Sequence, residues 1–328
     1  MNSTRRRSEH APRHTRDPLI GVKIADEFQI LRGVGSGSHA DVFIATQASV
    51  GGRHVALKVL CQPYLRLKEA DFRRAQNTLL REGKLLGALR SPCFAEVYRT
   101  GTTEDGRPYI AMEYVHGPTL ADAHKDGPLE RNLVVEVLKQ LADGLSELHA
   151  MGYVHRDITP SNILLHTSLS GRTQVKLIDL GTVTKVSDRA DKYRVGYDLE
   201  HPLGTPAYMS PEQAKGNVVD GRADQFALAA CIYQCLSGKR PFSAEGHGAK
   251  ALLERLKSDA TIPESPSAEI EANLGLAARA LDKALSNDPA QRFDSVMEFS
   301  EVFSREATAK QNPNSGWIQR LLKLGGHR

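Results

Sequence analysis

Short runs of alternating apolar and polar residues fill the first third of the chain, with turn residues between them. Such alternation is typical of strands that bury one face. One stretch differs, because leucines recur near helical spacing from about Leu67 to Leu89. This part of the sequence therefore predicts a small, mostly antiparallel lobe of five strands and one helix. The predicted strands are Phe28–Arg32, Asp41–Thr46, His54–Leu60, Glu96–Thr100 and Tyr109–Tyr114.

After Gly117 the pattern becomes helical. Apolar residues three or four apart run from Leu129 to Met151, and Gly152 is placed to end that helix as a C-cap. The stretch from about Ala223 to Leu236 is apolar almost all round, which predicts a buried helix. The second part of the chain is therefore expected to be a mainly helical lobe. Its further predicted helices are Ala249–Ser258, Ile270–Ser286 and Ser295–Thr308.

Length and charge add two constraints. At 328 residues the chain is long for one domain, and we expect a single two-lobed catalytic unit with short tails. The net charge of +4 lies at the ends, because residues 1–20 carry net +3 and residues 309–328 carry net +4. The body between them is net acidic, so the basic balance gives no support for specific nucleic-acid binding.

The four cysteines contain no C-x-x-C pair and are too few and scattered for a disulfide framework or a zinc site. Cys231 and Cys235 lie four apart in the apolar helix, where small buried hydrophobic residues are expected. No apolar run reaches 18 residues, and no apolar stretch follows Arg5-Arg6-Arg7. We therefore expect a cytoplasmic protein with no signal peptide and no transmembrane segment.

The two ends are predicted to be basic tails. Residues 1–24 begin with Arg, His, Ser, Thr and Pro and almost no apolar content, which predicts a disordered tail, with an acidic partner surface as the alternative. Residues 306–328 contain a short basic amphipathic segment, Gly316–Leu324. That segment is expected to be frayed or docked on the domain, with a partner or anionic lipid as alternatives.

The stretch His155–Asn162 carries the most informative chemistry. Asp157 precedes Asn162 by five residues, with a proline between them. This spacing suits a tight loop in which an acid faces a hydroxyl nucleophile and an amide oxygen faces a metal, as phosphoryl transfer requires. Taken alone, the stretch could also be a polar turn after a helix.

Four other motifs surround this loop in order. A glycine-rich stretch spans Gly33–Val42, and a strand-like stretch, Val55–Lys58, ends in a lysine. Asp179-Leu180-Gly181 follows an apolar run. Gly204–Glu212 contains two prolines and ends in a glutamate, and an arginine, Arg292, follows much later.

Together these motifs resemble those of bacterial-type, eukaryotic-like serine/threonine protein kinases, over about residues 25–305. The resemblance implies an α+β, two-lobed protein kinase fold, with a small lobe at 25–115 and a large lobe at 118–305. It also implies transfer of the γ-phosphate of ATP to Ser or Thr hydroxyls of proteins in signalling. Mg²⁺ is the implied metal, with Mn²⁺ as an alternative. A transient homodimer for autophosphorylation is left open.

The resemblance assigns the site residue by residue. It gives Asp157 the role of orienting the substrate hydroxyl and accepting its proton. His155 is expected to be a packing residue, and Asp224 is expected to tie down the catalytic loop. The implied catalytic residues are Asp157, Lys58, Glu82 and Thr159. The implied ATP-binding residues are Gly35, Ser36, Gly37, Val42, Ala56, Lys58, Glu113, Val115 and Leu164, and the implied metal ligands are Asn162 and Asp179.

At three positions the sequence departs from the family's pattern or leaves the assignment of a residue open. The partner of Lys58 is expected to be Glu82, 24 residues away, with Glu69 as the fallback. Ala40 replaces the third glycine of the loop, where a small residue suffices. Thr159 stands where the family's serine/threonine enzymes carry a lysine.

Two other classes of protein remain as alternatives. A pseudokinase that binds nucleotide as a scaffold is favoured only by these departures. A small-molecule kinase of the aminoglycoside or choline type shares the Asp-x-x-x-x-Asn loop but lacks the segment Gly204–Glu212 and its partner Arg292. For a protein kinase, we expect autophosphorylation within Thr182–Thr205, with Thr184 and Ser187 favoured, because Arg156 needs an anion to offset it.

Overall fold

The computed structural model describes residues 19–36, 40–61, 69–168, 171–186, 205–241 and 274–308. The chain divides into two compact units, one of residues 1–90 with 94–116 and the other of residues 91–93 with 117–328. A sheet dominates the described part of the first unit and helices dominate that of the second, so the predicted α+β class is confirmed. The predicted helix Ala249–Ser258 and nearly all of both predicted tails lie outside the described residues.

The first unit contains a six-stranded antiparallel sheet with strand order β1-β2-β3-β4-β6-β5. All five predicted strands are present. The additional strand β1 lies inside the predicted N-terminal tail, where Leu19 and Ile24 are buried in the core. The tail is therefore shorter than its composition indicated. The strands are β1 Lys23–Ile24, β2 Phe28–Ser36, β3 Ala40–Gln47, β4 Arg53–Leu60, β5 Val97–Thr102 and β6 Pro108–Glu113.

Both faces of this sheet are covered. Val55, Leu57 and Val59 of β4 point to one face and pack into a core cluster with residues of β2, β3 and β6. The other face packs against α1, Glu69–Ala88. A Cβ on Gly83 would come within 3.0 Å of the Thr100 side chain, so the missing side chain lets α1 lie close to the sheet. Gly83 thus lies over β5 and β6, which carry Thr100 and Ile110.

The two edges of the sheet are joined by a carboxylate in the turn between β1 and β2. Glu27 forms an ion pair with Arg99 on β5, at the opposite edge, and accepts hydrogen bonds from Gln47 (2.5 Å) and Ser49 (2.7 Å). An edge-to-edge bond of this kind requires the sheet to curl. The hydrogen bonds from Gln47 and Ser49, with that from Arg99, lower the pKa of Glu27 to about 2.

Glu27→Gln is expected to lower the free energy of unfolding near neutral pH, with a difference from wild type that shrinks in acid. A carboxyl whose folded-state pKa is lowered stabilises the fold above its unfolded pKa and loses that contribution as pH falls through the folded pKa. The window therefore runs from the ordinary value of 4.5 down to about 2. Urea unfolding across this range measures it, with the exposed Glu69→Gln as control. A constant difference at all pH values would contradict the assignment.

In the second unit, α5 forms the centre, and its side chains are buried from Ala223 to Cys235. Asp220 caps its start by accepting a hydrogen bond from the Arg222 amide (2.8 Å), and Gly238, with φ of 74°, ends it. Helix α3 packs against α5 and α7. The helices are α2 Leu120–Ala123, α3 Arg131–Ala150, α4 Pro211–Ala214, α5 Gly221–Ser237, α6 Leu276–Ala284 and α7 Val296–Thr308.

Two short strand pairs flank the predicted catalytic loop. β7 (Tyr153–Val154) pairs with β10 (Thr184–Lys185), and β8 (Ile163–Thr167) pairs with β9 (Thr173–Leu177). Gly152 takes a φ of 80° directly after α3 and its C-cap, as its predicted role at the helix end requires. The loop between β7 and β8 is therefore held at both ends.

All four cysteines are buried and free, as expected for Cys231 and Cys235 in the apolar helix. Among the described residues, none of the helices has the length and apolar character needed to cross a bilayer.

Candidate active site

Lys58 and Glu82 form a buried ion pair within the first unit. The Lys58 amine donates hydrogen bonds to both carboxylate oxygens, at 2.6 and 2.8 Å, and the side chains are only 10% and 3% exposed. The fallback partner, Glu69, is 75% exposed and pairs instead with Arg73 one helical turn away. Glu82 is therefore the partner of Lys58.

The predicted nucleotide-binding residues of this unit lie on three neighbouring strands. Gly35 pairs with Val42 across β2 and β3, and Val42 pairs with Lys58 across β3 and β4. Residues paired directly across antiparallel strands share a face, and Ala56 lies two residues before Lys58 on that same face. The fold thus brings Val42, Ala56 and Lys58 to one side of the sheet.

The tip of the glycine-rich hairpin is only partly described. Ser36 donates a hydrogen bond to Asp41 (2.5 Å), and Gly37 lies outside the described residues. Ala40 is buried in the cluster beneath α1. Its methyl group fills space in that cluster.

The remaining predicted nucleotide-binding residues belong to both units. Glu113 ends β6, and its amide donates to the Glu96 carbonyl (2.8 Å). Val115 follows it in the first unit and is 9% exposed. Leu164 lies on β8 in the second unit.

Asp224 anchors the catalytic loop from the buried helix α5. Its carboxylate accepts hydrogen bonds from the backbone amides of His155 and Arg156, both at 2.8 Å, and from Nε2 of His149, also at 2.8 Å. Burial alone would raise the pKa of Asp224, but the hydrogen bonds and charge from His149 and His155 outweigh it and lower the pKa. Asp224 is therefore an ionised, fully bonded anchor, as the resemblance implied.

Asp157 is held by partners on both sides. Its Oδ1 accepts from the Thr205 amide, and its Oδ2 accepts from the Asn162 side-chain amide, both at 3.1 Å. Burial raises its pKa, although the nearby His155 ring and these hydrogen bonds act in the opposite direction. A carboxylate with a raised pKa accepts protons more readily than an ordinary aspartate.

His155 is fully buried, as predicted for a packing residue, and it also makes a bond that was not predicted. Its Nδ1 accepts a hydrogen bond from the backbone amide of Asp157 (3.3 Å). Burial lowers the pKa of His155. Thr159, at the position of the missing lysine, is 4% exposed, and its carbonyl accepts from the Asn162 amide (3.0 Å).

The two predicted metal ligands lie on adjacent segments. The carbonyl of Asn162 accepts a hydrogen bond from the amide of Ile178 (2.8 Å), the residue directly before Asp179. Asp179 has a φ of 70° and accepts a bond from the Gly181 amide (3.1 Å). A side-chain amide oxygen and a carboxylate belong to the oxygen ligands that divalent cations such as Mg²⁺ take.

The segment from Thr205 to Glu212 is anchored by a buried ion pair. Arg292 donates to the two oxygens of Glu212 at 2.7 and 2.9 Å, and its side chain is fully buried. It also donates to the carbonyls of Ser286 (2.8 Å) and Arg222 (2.9 Å). The predicted pairing of Glu212 with Arg292 is present.

Arg292→Met is expected to cost about 3–5 kcal/mol of unfolding free energy, because it leaves the Glu212 carboxylate buried without its ion partner. The matched control is Arg222→Met, which removes the exposed pair with Asp294 (side chains 30% and 91% exposed) and should cost about 0–1 kcal/mol. Urea unfolding gives both values. Equal costs for the two variants would show that the buried pair has no special role.

Sequence reasoning missed two side chains that support the catalytic loop, one through Asp224 and one directly. His149 bonds Asp224, and Gln213 donates to the Arg156 carbonyl (2.8 Å). Neither residue belongs to a motif with a stated mechanism. The nearest signal for Gln213 is its place directly after Glu212.

Comparison with known proteins agrees with this geometry. A family model described as a protein kinase domain matches residues 28–303. The serine/threonine-protein kinase Pkn1 of Myxococcus xanthus is 33% identical over 283 residues, covering 86% of this chain and 38% of that protein. The serine/threonine-protein kinase pkn3 of the same organism is 35% identical over 293 residues, covering 86% of this chain and 50% of that protein.

A mycobacterial relative gives the same picture. The serine/threonine-protein kinase PknB of Mycolicibacterium smegmatis is 31% identical over 282 residues, covering 84% of this chain and 42% of that protein. The chain thus spans between 38% and 50% of the lengths of these relatives. The matched region covers most of both compact units and all of the motifs described above, and the chain belongs to the protein kinase domain family.

Proposed function

We propose that this chain transfers the γ-phosphoryl group of ATP to serine or threonine hydroxyls of proteins. The observation that carries the proposal is the setting of Asp157, which Thr205 and Asn162 hold from two sides. In the kinases that the chain resembles, the segment containing Thr205 cradles the protein substrate. A carboxylate fixed beside that segment can accept a hydrogen bond from a substrate hydroxyl and orient it.

In this role, Asp157 accepts the hydroxyl proton while the substrate oxygen forms a bond to the γ-phosphorus and the bond to ADP breaks. Burial favours this role because it raises the pKa of the Asp157 carboxyl. Asn162 supports this role, because its amide nitrogen bonds Asp157 and its side-chain oxygen is thereby turned away from that carboxylate.

ATP with a divalent metal is the cofactor expected for the family, and we propose Mg²⁺, held by Asn162 and Asp179. The cation would neutralise charge on the phosphates. In the kinases that the chain resembles, the lysine at the position of Lys58 contacts the phosphates, and here Glu82 orients the Lys58 amine. Mn²⁺ takes the same kinds of ligand and remains an alternative.

Protein substrates, rather than small molecules, are supported by the anchor of the segment that ends at Glu212. The two hydrogen bonds that Arg292 donates to the Glu212 carboxylate, at 2.7 and 2.9 Å, hold this segment in place. Tyr208 donates to Gln234 on α5 (2.5 Å), which fixes a second point. A small-molecule kinase does not need a rigid segment to hold a peptide substrate.

The four buried free cysteines are compatible with a reducing compartment, and we place the chain in the cytoplasm.

We also propose autophosphorylation within Thr182–Thr205, between two copies of the chain, as part of a signalling role. Thr182 donates its hydroxyl to the His155 carbonyl (2.8 Å), so it must leave this contact to be phosphorylated, and Thr184 lies in β10. Ser187, the other favoured position, lies outside the described residues.

The test is incubation of the purified chain with ATP and Mg²⁺, followed by mass spectrometry of the chain itself. We expect phosphoserine or phosphothreonine in Thr182–Thr205, and none with Mg²⁺ chelated. Phosphate on tyrosine alone would overturn the proposed specificity. An active enzyme with an unmodified segment would overturn only the autophosphorylation.

A nucleotide-binding pseudokinase is the second candidate, and the presence of Thr159 in place of the family's lysine favours it. A threonine hydroxyl donates one hydrogen bond but carries no charge for the transferred phosphate. Nucleotide binding without phosphate transfer to any added protein would support this candidate.

Thr159→Lys is expected to raise kcat about 10- to 100-fold with little change in the KM for ATP. The added amine would stabilise charge that develops in the transition state, worth roughly 1.4–3 kcal/mol. Thr159→Ala should cost little more than one neutral hydrogen bond. Steady-state kinetics checks both, and thermal melting shows whether the buried position accepts the longer side chain.

The contrary outcome is a folded Thr159→Lys enzyme slower than wild type, together with an inactive Thr159→Ala enzyme. That pair of results would mean that the Thr159 hydroxyl has a required partner of its own.

A further inference from the structure

Arg156 adopts an uncommon backbone conformation directly before the catalytic carboxylate. Its φ is 70°, in the left-handed region that residues other than glycine rarely occupy. Such a conformation costs on the order of 1–3 kcal/mol and persists only where surrounding contacts enforce it. The contacts that enforce it here therefore control the backbone beside Asp157.

Both polar backbone groups of Arg156 are bonded to buried side chains. Its amide donates to Asp224 (2.8 Å), and its carbonyl accepts from Nε2 of Gln213 (2.8 Å). Asp224 is fully buried, and Gln213 is 5% exposed. The left-handed residue is thus held from two directions.

The Gln213 bond acts on a peptide plane that Asp157 shares. The carbonyl of Arg156 and the amide of Asp157 belong to one planar peptide group, which turns as a unit. Gln213 holds the oxygen of that plane, and Nδ1 of His155 accepts from its N–H at 3.3 Å. With both ends fixed, the plane sets the direction in which the Asp157 side chain leaves the backbone.

The backbone around Gln213 is itself held in place by buried contacts. It directly follows Glu212, which is anchored by Arg292, and it lies in the short helix α4, Pro211–Ala214. The Ser210 hydroxyl accepts a hydrogen bond from the Gln213 amide (3.4 Å) and caps that helix. A side chain on this support can transmit the position of the segment to the catalytic loop.

We propose that Gln213 is a positioning residue for Asp157, coupling the end of the substrate-cradling segment to the orientation of the catalytic carboxylate. The inference rests on the proposed function, since it concerns the same site. Without the Gln213 donor, the peptide plane between residues 156 and 157 is free to turn. The carboxylate then spends less time in the reactive orientation.

The principal variant is Gln213→Met, which keeps size and flexibility but removes the donor. We expect kcat to fall about 10- to 100-fold, because small misplacements of a reacting group cost that much, while the KM for ATP stays within about twofold. Gln213→Asn retains a donor but is one methylene too short to reach the carbonyl. It should change kcat in the same direction, and it provides a second variant if Gln213→Met fails to fold.

The matched control is Gln140→Met. Gln140 also donates a side-chain bond to a backbone carbonyl of the second unit, that of Thr173 at 2.9 Å, but it does not contact the catalytic loop. Its removal should leave kcat unchanged. Thermal melting of all variants separates a loss of fold from a loss of positioning.

Hydrogen exchange provides a readout that does not depend on catalysis. The amides of Arg156 and Asp157 should exchange faster in Gln213→Met than in wild type, and at the wild-type rate in Gln140→Met. A folded Gln213→Met protein with wild-type exchange at these amides and wild-type kcat would overturn the proposal. If wild type transferred no phosphate, the proposed function would fail, while the exchange result would still decide whether Gln213 holds the loop.

Discussion

Asp157→Asn is expected to lower kcat by about 10²- to 10⁴-fold while ATP binding and the fold survive, as is typical when a general base is lost. An amide cannot accept the proton of a substrate hydroxyl. Its nitrogen would also face one of the two donors that now bond the carboxylate, the Thr205 amide or the Asn162 side chain. Phosphate transfer to a protein substrate, measured beside nucleotide affinity, checks the prediction.

Asp294→Asn is a suitable control for this experiment. Its carboxylate is 91% exposed, pairs with Arg222, and lies outside the proposed catalytic residues. Wild-type turnover by Asp157→Asn would remove Asp157 from the catalytic role.

Lys58→Met is expected to lower kcat by about 10²- to 10³-fold, the usual loss when one preorganised positive or polar group is removed from a transition state. It also leaves the Glu82 carboxylate buried without its partner, so the melting temperature should fall. Kinetics and thermal melting together separate the two effects.

The two candidate glutamates provide an internal comparison. Glu82→Gln keeps one acceptor for Lys58 but removes the charge, and we expect a loss of about 10-fold. Glu69→Gln alters a 75% exposed side chain paired with Arg73 and should change activity by less than about twofold. Equal effects of the two substitutions would contradict the assignment of Glu82.

The Lys58–Glu82 pair illustrates what a sequence can predict. Leu79, Glu82 and Leu86 are spaced three and four apart, so they lie on one face of α1, and the structure buries all three. Glu69 stands at the exposed start of the helix. The periodicity therefore favours Glu82 over Glu69 as the partner of Lys58.

The backbone of the catalytic loop could not be predicted in the same way. Arg156 has a φ of 70°, which nothing in its residue type favours. For Arg156 the conformation is held by Asp224 and Gln213, 68 and 57 residues further along the chain. Long-range bonds of this kind follow from the tertiary fold, and no local pattern reports them.

The strand β1 was missed for a compositional reason. Residues 1–18 are rich in arginine and poor in apolar residues, and this composition favours a tail that continues to Ile24. Leu19 and Ile24 nevertheless pack beside Phe28 in the core. Two apolar side chains in a polar stretch are too few to form a repeating pattern that would predict a strand.

The most direct test of the account is transfer of label from ATP marked at the γ-phosphate into casein, followed by identification of the labelled amino acids. Wild type and Asp157→Asn are compared at equal nucleotide saturation. The account predicts label on serine and threonine with wild type and Mg²⁺, and at least about 100-fold less with Asp157→Asn. Saturable nucleotide binding by wild type with no label in any protein, its own chain included, would contradict it.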